Sequence, residues 1–132
     1  MSVPPALPAY LLSGLLAVTG SLHVFAPEPY VRIIPERLPA PYTLVYASGV
    51  AELLCAAGLA MPRTRRRAGW AAALLFVAVL PANLTMALDA AGRSTPYQVA
   101  VWARVPLQVP LVLWAVSVAI RARRQAETPG SG

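Results

Sequence analysis

Charge is scarce in this chain, and so are the residues that bind metals or carry electrons. Only 12% of its 132 residues are charged, against about 25% in a typical soluble domain, so the composition does not suit a water-facing surface. A single cysteine, Cys55, excludes an internal disulfide and any CxxC redox pair. A single histidine, His23, beside that one cysteine leaves no zinc-ligand set. Lysine is missing altogether, and all 11 basic residues are arginine. The net charge of +6 would suit a nucleic-acid partner if the arginines formed a face. They sit instead between apolar runs, and no nucleic-acid partner is expected.

What the chain has in quantity is apolar sequence. At 132 residues there is room for one domain. Four predominantly apolar stretches stand out, roughly Pro5–Ala26, Tyr42–Met61, Ala68–Leu88 and Gln98–Ile120. Each runs for about 20 residues, enough at ~1.5 Å per residue to cross a ~30 Å hydrocarbon core. The first is read as a retained span and not a cleaved signal, because Met1–Pro8 carries no Lys or Arg.

The arginines give the expected orientation. Arg63, Arg65, Arg66 and Arg67 fill the turn between the second and third stretches, and Arg121, Arg123 and Arg124 follow the fourth. In the other two loops Arg32 and Arg37 face Glu28 and Glu36, and Arg93 faces Asp89, so neither loop carries net charge. By the positive-inside rule the second loop and the C-terminus are cytoplasmic, which puts the N-terminus inside too. A phosphate-binding or partner-docking role for the Arg cluster is the competing reading. Trp70, Trp102, Tyr42 and Tyr97 lie near span ends, where aromatic belts form. The expected architecture is therefore an all-α four-helix transmembrane bundle, N-in/C-in, over residues 1–124 of an inner-membrane protein. A polar tail, residues 125–132, reads as disordered.

Within the spans, Ser13, Ala17 and Ser21, and then Ala56 and Ala60, place small residues at four-residue spacing, which lets helix backbones approach closely in lipid. Pro81, Pro106 and Pro110 remove backbone donors and predict local kinks whose freed carbonyls need partners inside the bundle. The proline-rich first loop, Pro27–Pro41, interleaves Val31, Ile33, Ile34 and Leu38 with charges and cannot be a span. A short amphipathic piece lidding the outer end of the bundle and an ordinary ordered loop both fit its composition.

Few polar residues are sunk in the spans, and on this topology they share the outer half or the midplane. His23 lies near the outer end of the first span and Asn83 near that of the third. Glu52 falls ~15 Å into the second, and Arg104 and Gln108 roughly 9 and 15 Å into the fourth. An ionised group at the bilayer centre costs at least ~2.5–3.5 kcal/mol on the insertion scale, so these side chains should turn inward. Glu52 and Arg104 are expected to pair across two helices, each offsetting the other's desolvation. Gln108 lies one turn beyond Arg104, and Ser48 and Cys55 flank Glu52 at helical spacings. Each has a plainer reading. The cluster can serve only to hold the bundle together, His23 can be an interfacial anchor, Asn83 can bond a carbonyl freed at Pro81, and Cys55 can be an inert apolar filler.

Several of these residues also carry a family likeness. His23 with Phe25, Pro35 with Leu38-Pro39, Ser48-Gly49 with Glu52, the Arg-rich turn, Pro81-Ala82-Asn83, and Arg104 with Pro106 and Gln108 together resemble the DoxX-like small membrane proteins along nearly the whole chain. The resemblance implies a four-helix membrane fold and an association with membrane redox processes. Its name comes from relatives associated with thiosulfate:quinone oxidoreductase, and some members resemble membrane partners of superoxide-detoxifying and thiol-handling proteins. More distant similarity runs to membrane-bound receptor-assembly chaperones of animals. This chain has no cysteine pair, haem-ligand pair or nucleotide fingerprint, so electron transfer would need an outside partner or a bound quinone.

Three functional readings follow. In the leading one an accessory or binding subunit holds a quinone or isoprenoid-type lipid in a pocket lined by His23, Glu52, Asn83, Arg104 and Gln108. In the second, a small membrane isomerase or oxidoreductase uses Glu52 and His23 as acid and base, although their depths differ by ~10 Å on helical rise alone. In the third, the chain is an assembly partner or chaperone for another membrane protein.

Overall fold

A computed structural model describes residues 6–32, 34, 36 and 38–127, and all of its regular structure is helical. Ile33, Pro35, Arg37, the first five residues and residues 128–132 lie outside the described residues. Helix α1 spans Leu7–Phe25, the one-and-a-half-turn α2 Glu28–Arg32, α3 Pro41–Ala60, α4 Arg65–Leu88 and α5 Thr95–Glu127. The four long helices are long and apolar enough to cross a membrane. Their bounds follow those of the four apolar stretches, except that α5 continues to Glu127, into the segment read as tail. There Arg123 Nε donates to the Glu127 carboxylate at 2.8 Å, one helical turn on.

The helices are apolar on their outer as well as their inner faces. Leu54 and Leu74 each leave 69% of their surface uncovered, which water would penalise and lipid would not. Proline punctuates the helices in two ways. Pro8 and Pro41 stand in the first turns of α1 and α3, where no intrahelical donor is needed, whereas Pro81, Pro106 and Pro110 interrupt the ladders of α4 and α5.

Two tight helix pairs make up the bundle, α1 against α3 and α4 against α5; α3 also packs on α4, and α1 touches α5 to close the ring. Consequently α3 and α5 stand on a diagonal. Glycine sets both tight pairs. A Cβ on Gly20 would lie 2.9 Å from the Gly49 carbonyl oxygen, and one on Gly69 would lie 2.9 Å from the Ala119 backbone nitrogen. Such close approach is how helices associate where no aqueous hydrophobic effect helps them. The Ser13 hydroxyl adds a bond to the Ala56 carbonyl at 2.7 Å, uniting two of the small residues expected at a crossing.

The packed core occupies one half of the bundle. Leu12 and Leu16 of α1, Cys55 and Leu59 of α3, Ala72 and Phe76 of α4, and Ala115 and Val118 of α5 bury one another toward the α3–α4 turn. Cys55 is thus apolar filling. The Trp114 indole donates to the Pro8 carbonyl at 3.0 Å and ties α5 to the first turn of α1. In the opposite half a smaller cluster, Ala87, Ala90 and Val101 with Tyr97 and Val105 against it, knits α4 to α5, and a cavity lies between the helix pairs.

Candidate functional site

The site begins at the Gly20–Gly49 crossing. Because α1 and α3 run antiparallel, His23 and Glu52 lie on opposite sides of that crossing, about 9 Å apart along the helix axis. Helical side chains lean toward their own N-terminus, so in an antiparallel pair these two lean toward each other. The missing side chains of Gly49 and Gly20 leave room, and added Cβ atoms there would press on His23 Cβ at 2.8 Å and on Glu52 Cβ at 3.0 Å. His23 Nδ1 comes to 3.2 Å from Glu52 Oε2. It is closer still, 2.6 Å, to the Thr19 carbonyl. A carbonyl oxygen only accepts, so this contact fixes the proton on Nδ1. Glu52 Oε2 is buried and accepts no hydrogen bond among the described residues.

Above His23 lies the first loop. Tyr30 of α2 stacks on the imidazole with ring centroids 3.9 Å apart and planes inclined by 20°. Ile34 and Leu38 follow it onto the roof of a cavity of about 310 Å³. The cavity walls come from α3 (Leu44, Val45, Ser48), α4 (Ala78, Val79, Ala82, Met86) and α5 (Arg104), with His23 from α1. Most of this lining is hydrocarbon. Its charged member, Arg104, is half-buried, and among the described residues no carboxylate lies within 4 Å of its guanidinium.

The expected Glu52–Arg104 pair is therefore not formed, and Glu52 meets His23 instead. Depth along the bilayer placed the two groups at one level, but α3 and α5 face each other only across the diagonal. The five residues read as one pocket divide as follows. His23 and Arg104 line the cavity, with Glu52 held against His23 at the adjoining crossing. Gln108 is buried and turns to α4, its amide donating to the Phe76 carbonyl at 3.1 Å. Asn83 is half-buried and is not part of the cavity lining.

A family profile described as a domain of unknown function (DUF8561) matches residues 12–119. The chain belongs to that family. No curated protein matches it, and no solved structure does. The matched region runs from the second turn of α1 into the last third of α5 and so contains every residue of the cavity.

Tyr30 escaped the reading of the sequence. The only signal available was an aromatic residue between the prolines of a loop, and nothing local says that it reaches back to His23. Arg65 escaped it as well. Counted among the topology-setting arginines, it is in fact buried, with Nε donating to the Leu59 carbonyl at 2.9 Å and Nη2 to that of Ala60 at 3.4 Å. Its guanidinium also lies 5.1 Å from the Tyr10 ring centroid. Arg65 thereby satisfies carbonyls left open at the end of α3.

Proposed function

We propose that this chain is an accessory or binding protein of the inner membrane that holds an amphiphilic molecule, a quinone or an isoprenoid-type lipid, in the cavity beneath α2. One observation carries the proposal: Arg104, half-buried and with no carboxylate within 4 Å of its guanidinium among the described residues, stands on the wall of an otherwise largely apolar cavity. A charge in that position is costly unless something polar comes to meet it. With the Arg-rich turn and the C-terminal end of α5 in the cytoplasm, N-in/C-in, the cavity belongs to the outer half of the bilayer. The DoxX-like resemblance supports a link to membrane redox processes, with a bound quinone or a partner protein supplying the electron carrier that the chain lacks.

Native mass spectrometry of the protein purified in mild detergent tests this directly. A retained lipophilic molecule is expected, and its loss in Arg104→Gln. Should nothing be retained, with thermal stability indifferent to both a quinone and a polyprenyl lipid, the reading fails.

The His23–Glu52 contact favours a second reading, in which the pair moves a proton to or from the bound molecule. Glu52 Oε2 lies 3.2 Å from the His23 Nδ1 that now donates to the Thr19 carbonyl, so a small turn of the imidazole would bring that proton to the carboxylate. The depth difference of ~10 Å estimated from helical rise is closed by the lean of the two side chains. Turnover of a bound lipid that stops in Glu52→Gln while binding persists would establish this reading; unchanged turnover would discard it.

A further inference from the structure

We infer that the cavity selects an acid, a single carboxylate or phosphate head on an apolar chain, over a neutral head such as a quinone, with Arg104 as the group that recognises the charge. The inference rests on the binding role proposed above and concerns what the ligand must be. Three features lead to it. Arg104 offers a planar fork of N–H donors that no described residue accepts, and a carboxylate or phosphate matches that fork with two parallel bonds. A carbonyl could accept from the same donors, but it would leave the positive charge uncompensated in apolar surroundings.

The carboxylate carried within the spans does not compete. Glu52 lies at the α1–α3 crossing beside His23 and Thr19, outside the cavity lining. The hydrocarbon walls give the rest of the ligand its place. Val45, Val79 and Met86 line the cavity along with Leu44 and Ile34, and a volume of about 310 Å³ is at the small end of ligand pockets, which run from ~300 to 1,000 Å³. It fits a head and the first part of a chain, whose remainder would continue between the helices into lipid.

Paired probes that share a tail and differ in head provide the test. Dodecanoic acid, dodecyl phosphate, methyl dodecanoate and decylubiquinone would be titrated into the purified protein in nonionic detergent, at a pH well above the carboxylic range. Binding would be read by native mass spectrometry and thermal shift. The two acids should bind roughly ten- to a hundred-fold more tightly than the ester or the quinone, the increment typical of one hydrogen bond to a charged group. Arg104→Gln should abolish the preference by bringing the two acids down to the affinity of the neutral probes, and Arg104→Lys, which keeps the charge without the fork, should retain part of it. Acetate should not displace dodecanoate.

Equal binding of acid and ester would overturn the inference and leave the binding role standing, whereas failure of all four probes would overturn both. A preference that survives in Arg104→Gln would place charge recognition elsewhere and refute the assignment. Displacement by acetate at matching concentration would show a small-anion site in which the chain plays no part.

Discussion

Two buried or half-buried arginines, one at each end of the bundle, have opposite fates. Arg65, beside the α3–α4 turn, sends its donors to the Leu59 and Ala60 carbonyls and lies near the Tyr10 ring, in a half of the molecule that is packed with hydrocarbon. Arg104, in the other half, faces a cavity and meets no acceptor among the described residues. The charge is the same and the desolvation is comparable in kind. What differs is whether the protein itself supplies the compensation. At one end the cation completes the fold, and at the other no described residue compensates it, which is the opening the proposed ligand would fill.

The comparison breaks most easily at the arginines themselves. Arg65→Ala removes the donors that close the end of α3 and should destabilise the protein by about 2–3 kcal/mol, the range for a hydrogen bond from a charged group. Arg104→Met removes an uncompensated charge and keeps a flexible apolar stem. It should leave stability unchanged or raise it by up to ~2 kcal/mol, as when buried charges give way to hydrocarbon. Thermal unfolding of both variants in one detergent measures the difference. If Arg104→Met proves as damaging as Arg65→Ala, then Arg104 is a structural residue and the contrast between the two ends disappears.

The glycine crossings sharpen the contrast at a smaller scale. A Cβ on Gly69 would meet the Ala119 backbone at 2.9 Å, and backbone in a packed pair of helices cannot give way. Gly69→Ala should cost about 2 kcal/mol through overpacking. Gly49→Ala presses on His23 Cβ at 2.8 Å and on the Gly20 carbonyl oxygen at 3.0 Å. Both are held by the α1 backbone, so α1 and α3 must part, but they do so beside the cavity and not inside the packed core. We expect about 1 kcal/mol, with the larger consequence for ligand retention, because His23 is pushed from under Tyr30. Equal losses of stability in the two variants, with ligand binding untouched in Gly49→Ala, would show that the cavity end is as rigid as the core.

How much of this was legible in the sequence divides along the same line. The long helices announce themselves, since apolar runs of about 20 residues separated by proline, arginine and glycine have few other ways to exist. The levels of His23, Glu52 and Arg104 along their helices could be counted too, because depth follows from residue number along each span. Their partners could not be read that way. Depth is one coordinate, and pairing also needs the order of helices around the ring, which put α3 and α5 on a diagonal and broke the expected Glu52–Arg104 contact. Side-chain lean supplies a correction that residue counting omits, and it is large enough to join His23 to Glu52. Gly20 and Gly49 do mark that crossing, but their meaning depends on knowing that α1 and α3 are neighbours. In the same way, nothing in the run Arg63–Arg67 distinguishes Arg65, which turns inward, from Arg66, which does not.

The smallest expected effect lies where the two halves meet. Pro81 has no N–H to return to the carbonyl of Val77, and its ring crowds the turn before it. The Gln108 amide reaches α4 at the neighbouring carbonyl, that of Phe76, at 3.1 Å. A hydrogen bond between helices in a membrane contributes ~0.6 kcal/mol on average, so Gln108→Leu should lower stability by about that much and leave ligand binding intact. If the amide compensates the ladder bond missing at Pro81, its contribution depends on the proline. Pro81→Ala restores the missing donor and tightens the ladder, so Gln108→Leu should then cost nearly nothing, giving a coupling close to the whole single-mutant effect. Strict additivity would mean that Gln108 only joins α4 to α5. Loss of ligand binding in Gln108→Leu would move this residue back into the site from which the geometry separates it.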